Sequence, residues 1–300
     1  MSSALDLQPE NAAMGDTSTR AERRRAQEHD GEYNVLATAR PRLSLVFPVF
    51  DEAHNLDALL GAAQQIASGL EPDFEIVVVD DGSRDGSAKI IDAWCEADAR
   101  IRAVRHASNT GYGAALRSGL RAARGELVFF SDADLQFDLA DLEQLLCHAD
   151  DFDIVAGYRA PRSDPWHRHL IAWSWGALVR FLFGLRVRDI DCAFKMFRRE
   201  VIESIPIASI GAFVNTEILV RARASGFRIH QVPVSHRRRR HGEQTGAKPR
   251  VILRAILELS TLFRELQRAR RKGPGTTPAQ CPRLVPRAIS EAGGSRCREG

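Results

Sequence analysis

The chain is short of the features that mark several common protein classes. Its 300 residues include only five cysteines, Cys95, Cys147, Cys192, Cys281 and Cys297. They show no CxxC spacing and no histidine at a zinc-ligand interval, which excludes a zinc module and a disulfide framework and fits a reducing compartment. The charge is nearly balanced, 42 Lys and Arg against 39 Asp and Glu for a formal net +3, too little for a nucleic-acid binder. No run of 18 apolar residues is present and the first 30 residues are polar and charged, so neither a membrane span nor a signal peptide is expected. The expected location is cytoplasmic, peripheral to the membrane at most.

What is there is a chain with 44% hydrophobic residues, enough for one sizeable core. Residues 1–40 and the tail 273–300 are rich in Ala, Arg, Glu, Ser, Gly and Pro without periodic apolar positions, and both are expected to be disordered. Between them, strand-like runs (Leu43 to Val49, Phe74 to Val79, Ile101 to Arg105, Leu127 to Phe130, Asp153 to Ala156) alternate with helix-period segments (Leu56 to Ile66, Ala88 to Trp94, Ala114 to Ala123, Leu139 to Leu146). That alternation predicts an α/β fold over 41–248, with a mostly parallel sheet and helices on both faces. Segment 249–272 is predicted to be an amphipathic helix, apolar at Ile252, Ala255, Ile256, Leu259, Leu262, Phe263 and Leu266 and polar at Arg254, Glu258, Thr261, Glu265 and Arg268. With its basic end it suits an anionic membrane, a membrane partner or packing on the domain. Trp166 to Phe183 holds three of the four tryptophans and reads as a largely apolar helix, suited to a core or to a lipid-facing groove.

Ligands of such sheets bind at the carboxyl ends of the strands, and acidic residues collect there. The first strand ends in Pro48-Val49-Phe50-Asp51-Glu52, the second in Asp80-Asp81-Gly82-Ser83 and the fourth in Asp132-Ala133-Asp134-Leu135-Gln136. Two carboxylates at i, i+2 after a buried strand make a hard oxygen site for a divalent cation, which in turn holds a diphosphate. An isolated DxD is more often an Asp-rich turn capping the next helix, but three converging acidic clusters repel one another and need a metal or ligand between them. Asp80 or Asp81 suits a ribose or base; the alternative is a cap for the helix after Ser87. Asn109-Thr110-Gly111-Tyr112-Gly113 opens the third helix, with glycines that allow close backbone approach or positive φ. It lacks the third glycine of GxGxxG, which argues against a nicotinamide dehydrogenase.

These motifs, together with Gly157-Tyr158-Arg159 and Asp191-Cys192-Ala193-Phe194-Lys195, occur in the order seen in family-2 glycosyltransferases. Over about 43 to 255 the chain resembles that family, and within it the dolichyl- or polyprenyl-phosphate mannosyl- and glucosyltransferases. The resemblance implies a GT-A fold, a nucleotide-sugar donor (GDP-mannose or UDP-glucose), Mg or Mn, and inversion at the anomeric carbon. It implies that Pro48, Phe50, Glu52 and Asp80 or Asp81 hold the nucleoside, that Asp132, Asp134 and Gln136 hold the metal and diphosphate, and that Ala133 and Lys195 belong to the substrate-binding positions. A polyprenyl phosphate acceptor arrives ionised, so it needs cationic positioning more than a base. Arg159, Arg168 and the run Arg237 to Arg240, with Arg238 and Arg240 as its binding positions, are the candidates. The chain departs from many relatives in having Ala172 where a Ser follows the acceptor Arg by one turn, and Gly242-Glu243-Gln244-Thr245 where Gly-x-Ser is frequent. The expected catalytic residues are Asp134, Arg159 and Asp191. Transfer to a sugar or small-molecule hydroxyl is the alternative, with Asp189 or Asp191 as base; a non-catalytic nucleotide-sugar binding subunit is the third reading.

Overall fold

The computed structural model describes residues 40–160, 166–237 and 249–271. The chain divides at Arg40/Pro41, and every strand and helix among the described residues lies in the unit that begins at Pro41. Of the segments expected to be disordered, 1–40 and 273–300, all but Arg40 lie outside the described residues, as do Arg238, Arg240 and Thr245 and the side chain of Arg168.

Seven strands form one sheet: β1 (Leu43–Val49), β2 (Phe74–Asp80), β3 (Ile101–Arg105), β4 (Leu127–Ser131), β5 (Ile154–Arg159), β6 (Phe194–Arg198) and β7 (Ile229–Val234). Their spatial order is β3-β2-β1-β4-β6-β5-β7. Every neighbouring pair is parallel except those of β6, which runs antiparallel to both β4 and β5. The helices are α1 (Ala53–Leu70), α2 (Ser87–Ala97), α3 (Tyr112–Ala122), α4 (Leu142–His148, entered through a 3-10 turn), α5 (Trp166–Phe183), α6 (Arg199–Ser204), α7 (Val214–Ala224) and α8 (Pro249–Arg271). The expected α/β class with a mostly parallel sheet is therefore what forms. The strand read at Ala193 to Phe197 is β6; its antiparallel direction and the helices α6 and α7 are additions to the sequence reading.

β1, β2 and β4 are buried along their whole length because both faces are covered. Strand alternation divides the apolar side chains between two cores. Val46, Val77, Val79, Val128 and Phe130 face one side with α3, α7 and α8 residues; Leu45, Phe47, Ile76, Val78 and Phe129 face the other with α1 and α4. Each buried Val, Leu, Ile or Phe side chain stabilises by roughly 1.5–3 kcal/mol. Pro48 sits in a central strand without harm because the β1–β4 ladder ends at Val46↔Phe130, so the missing N–H falls beyond that pairing.

The helix α7 is buried from Val214 to Ala222, and its polar residues are paired inside. Glu217 accepts from the N–H groups of Ala208 (3.0 Å) and Ser209 (2.7 Å) and from Arg221 (2.9 Å). Arg221 then donates twice to Glu265 of α8, both at 2.9 Å. Ser209 donates to Glu258 at 2.6 Å, and Leu259 and Leu262 are buried in the core. So α8 lies on the domain, and Glu258 and Glu265 of its expected solvent face are bonded to Ser209 and Arg221, while Leu253, Ile256 and Leu257 are exposed.

Candidate active site

The chain runs from β1 through β2 to β3 on one side and returns to place β4 on the other side of β1. This reversal makes a topological switch point at the carboxyl ends of β1 and β4, the place where α/β sheets bind ligands. The β1 and β2 loops that border it are laced together. Asp51 (φ 53°) accepts from Arg84 N at 2.7 Å, Ser83 Oγ accepts from Asp51 N at 3.1 Å, and Asp85 accepts from Ala53 N at 2.9 Å. Glu52 stands at the head of α1, its N–H donating to Ser87 Oγ and its carboxylate accepting from the Asn55 side chain rather than from a helix N–H. Phe50 stands 41% exposed at the rim, and Pro48 lies below it in the strand.

Asp80 and Asp81 are adjacent in sequence and different in circumstance. Asp81 accepts from the Thr110 N–H (2.9 Å), the Thr110 hydroxyl (2.7 Å), the Gly111 N–H (2.9 Å) and His106 Nδ1 (2.6 Å). Burial alone would raise its carboxyl, but these bonds together bring it below the ordinary value. Its acceptors are committed to the 106–111 loop. Asp80 has one oxygen on Ser83 N (2.9 Å) and the other 3.8 Å from Arg105 Nη1, a looser arrangement that leaves it the nucleoside candidate of the two. Neither caps the following helix; Asp85 holds Ser87 instead. Gly111, at φ 103°, and Gly113 serve close approach: a Cβ on either would sit 2.5–2.7 Å from backbone oxygens of the 209–211 segment.

The DxD loop leaves β4 with Leu135 in the left-handed region (φ 57°), a strain of order 1–3 kcal/mol of the kind found at ligand sites. Ala133 is buried in the core beneath the loop and anchors the carboxylates on either side. Asp134, also buried, accepts from Gln136 N at 3.1 Å. Gln136 donates through its side chain to Arg237 O (3.0 Å) and accepts from Arg237 N (2.7 Å), and Phe137 bridges to His236. The segment after β7 is thereby fastened to the DxD loop. Arg237 pairs with Asp138 at 2.5 Å.

Tyr112, whose role the sequence reading missed, has its hydroxyl buried with no hydrogen bond of ordinary geometry among the described residues. Burial first, then the charge of Asp132, push this phenol well above its ordinary value, so it stays protonated. A buried donor at a carboxylate invites a further polar occupant. No group of three or more His, Cys, Asp and Glu converges among the described residues. The DxD loop would offer a cation the Asp132 and Asp134 carboxylates and the Gln136 amide oxygen. Hard oxygens leaving open positions for water and diphosphate fit Mg or Mn, so the residues fit the expected group.

The acceptor side differs from expectation in two places. Arg159, expected to meet the acceptor, is clamped by Asp189 through Nε–Oδ2 at 2.7 Å and Nη2–Oδ1 at 2.8 Å, with side chains only 14% and 5% exposed. The pair balances its own charge and fixes the 184–192 segment to the end of β5. Asp189 is thus committed, whereas Asp191 is exposed. Lys195, expected to bind substrate, is instead 1% exposed within β6. Its ammonium donates to Ile190 O at 3.1 Å, Cys192 O and Asn215 Oδ1 at 3.0 Å, over the Phe130 ring. It ties the loop carrying Asp191 to α7 rather than reaching a ligand. Carboxyl-edge placement after a parallel strand could have flagged His236 in the sequence; nothing there flags Asn215.

The family model described as "Glycosyl transferase family 2" matches residues 44–205, more than half of the chain. The chain is 32% identical over 202 residues to glycosyltransferase AglD of Haloferax volcanii, covering 64% of this chain and 32% of the relative. It is 32% identical over 214 residues to an undecaprenyl-phosphate 4-deoxy-4-formamido-L-arabinose transferase of Pseudomonas aeruginosa, covering 70% and 62%. It thus spans about a third to three fifths of the length of these relatives. In fold it is similar to glucosyl-3-phosphoglycerate synthase of Mycobacterium tuberculosis, crystallised with Mn2+, UDP and glucosyl-3-phosphoglycerate (TM-score 0.56, 22% identity, 79% and 81% of the two chains). The same holds for mannosyl-3-phosphoglycerate synthase of Rubrobacter xylanophilus (TM-score 0.57, 18% identity, 87% and 82%). The fold is the GT-A type.

Proposed function

The chain belongs to glycosyl transferase family 2, and on that premise we propose that it transfers a hexose from a nucleotide sugar, GDP-mannose or UDP-glucose, to a polyprenyl or dolichyl phosphate with inversion at the anomeric carbon. The observation that carries this reading is the convergence of the β1, β2 and β4 loops on one crevice, with the strained DxD loop beside a buried, protonated Tyr112. Relatives named for undecaprenyl-phosphate sugar transfer support the acceptor class.

In this reading Phe50, Glu52 and Asp80 hold the nucleoside, and Asp132, Asp134 and Gln136 would hold Mg or Mn with the diphosphate. When bound, the cation stabilises the negative charge that develops on the departing nucleoside diphosphate. The buried Tyr112 hydroxyl lies in the field of Asp132, and the Gln136–Arg237 bonds fasten Arg237, the first residue of the basic run, to the same loop. The acceptor phosphate is ionised at neutral pH, so cations position it and no base is required. Arg168, Arg238 and Arg240 are assigned to that task. Arg159 acts by holding Asp189, and through it the loop of Asp191.

Among the described residues no helix is long and apolar enough to cross a membrane. Trp173 and Phe181 of α5 are 71% and 85% exposed, and Leu253, Ile256 and Leu257 of α8 are exposed too, which supports a peripheral membrane contact or docking on an integral-membrane partner at the cytoplasmic face. Hydroxyl transfer stands as a second reading because Asp191 is an exposed carboxylate on a fixed loop. The test is incubation with radiolabelled GDP-mannose or UDP-glucose, polyprenyl phosphate and Mn2+, followed by organic extraction. Label in the organic phase supports the lipid-phosphate reading, and label that stays in a water-soluble product supports hydroxyl transfer.

A further inference from the structure

A second concavity lies at the other edge of the sheet. It measures about 620 Å³ and is lined by Arg180, Arg186 and Arg223 together with Leu185, Val187 and Ile229. Ile229 is the first residue of β7, which is parallel to β5; β5 in turn runs in the same direction as β4, since both are antiparallel to β6. The pocket therefore lies toward the amino end of the edge strand β7, while Val187 of its lining stands two residues before Asp189, the partner of Arg159 at the carboxyl end of β5.

Three arginines line it and no acidic residue does. Among the buried and half-buried arginines of the domain, Arg102 is paired with Glu75, Arg159 with Asp189 and Arg221 with Glu217 and Glu265. Among the described residues none gives Arg180, Arg186 or Arg223 a carboxylate partner. The rival account is that arginines favour the negative ends of helices, and Arg180 and Arg223 do lie in the last turns of α5 and α7. It does not cover Arg186, which is in the connection to β6, and its magnitude is too small. Two helix ends supply about half a negative charge each against three full positive charges, so a net of about +2 remains over an apolar floor of Leu185, Val187 and Ile229. The planar guanidinium fork matches phosphate oxygens in pairs.

We propose that this pocket is a phosphate-binding site separate from the DxD crevice, taking a phosphate group either free in solution or on the headgroup of an anionic lipid. Phe181, beside Arg180 and 85% exposed, gives a lipid an apolar contact next to the charge. The site does not depend on the proposed reaction.

The test uses the full chain carrying Asp134→Asn, in chelator, so that no cation bridges phosphate to the DxD loop. Titration calorimetry with inorganic pyrophosphate reads the free ligand; co-flotation with phosphatidylglycerol vesicles against phosphatidylcholine vesicles reads the headgroup. Binding in either arm, weakened at least about tenfold by Arg186→Ala with Arg223→Ala, is expected, since each lost charge-assisted bond is worth that much or more. Which arm responds identifies the source. All three arginines are exposed, so an unchanged melting temperature will accompany the variants. Absence of binding in both arms, binding unmoved by the double substitution, or full retention by Arg186→Lys with Arg223→Lys overturns the proposal, the last because a diffuse positive surface does not need the fork.

Discussion

The two neighbouring aspartates after β2 permit a sharp test, because identical substitutions one residue apart should do different things. In Asp81→Asn the retained oxygen can still accept from Thr110 and His106, but the new amide N–H group faces the Gly111 N–H across 2.9 Å. A charge-assisted bond is lost and a donor is set against a donor, which costs about 2–3 kcal/mol. The 106–111 loop also starts α3, so the loss reaches the core. For an ordered region of this size that corresponds to a fall in melting temperature of roughly 4–12 °C. In Asp80→Asn the bond from Ser83 N survives on an oxygen acceptor, so the melting temperature should move by less than about 3 °C. Its effect should instead be a rise in donor KM of about tenfold or more, one charge-assisted bond to the nucleoside. Calorimetry of both variants beside donor-saturation kinetics makes the comparison. Equal melting temperatures for the two, or a destabilised Asp80→Asn with normal donor KM, would refute the assignment of roles.

Removal of the metal by chelator, or Asp134→Asn, should lower turnover roughly 10³-fold or more without moving the melting temperature; near-native activity under either change ends the metal-diphosphate reading. Asp191→Asn should reduce kcat only a few-fold if the acceptor is an ionised phosphate, while a loss of roughly 10²-fold or more at saturating donor would mark it as a base and favour hydroxyl transfer. The fold should be acid-labile. Burial raises the carboxyls of Glu75 and Asp81, but hydrogen bonds from Ser44, Arg124 and Arg102, and from Thr110, His106 and Gly111, bring both below their ordinary values. A depressed folded-state carboxyl stabilises fully above its unfolded value near 4, and that contribution is lost as pH falls through the folded value. Urea midpoints should therefore be lower at pH 3 than at pH 6, with the difference reduced in Glu75→Gln; no difference between the two pH values contradicts the account.

The sequence showed most of the sheet, because β1, β2 and β4 are mostly apolar runs, broken only by Ser44 and Glu75, that end in acidic turns, a pattern that buried parallel strands impose. It did not show the direction of β6. Phe194 to Arg198 reads as a strand either way, and only pairing with β4 and β5 makes it antiparallel. The helix α7 escaped for a different reason. Asn215, Thr216, Glu217 and Arg221 break any apolar stripe, and they are tolerated inside because Lys195, Trp175, Ser209 and Glu265 meet them. Within the site the residue types were legible and their division of labour was not. Asp80 and Asp81, or Asp189 and Asp191, differ only in which loop or arginine folds over them, and Lys195 carries nothing in its neighbours that marks it as interior.

The insertion of β6 between β4 and β5 has a consequence during synthesis. By Ser131 the chain holds everything needed to assemble β3-β2-β1-β4, yet the outer edge of β4 is covered only by a strand that begins at Phe194, about 60 residues later. At ordinary translation speed that interval is about 3–12 s. For that time a strand of wholly interior side chains, Leu127 to Ser131, presents its unpaired amides and carbonyls to the surroundings. Nascent chains stalled inside this window would carry an open hydrophobic edge, the species that chaperones must hold and that self-associates when they do not. Fragments ending between 132 and 193 are thus poor candidates for a soluble minimal domain, even though they contain the nucleotide half of the fold.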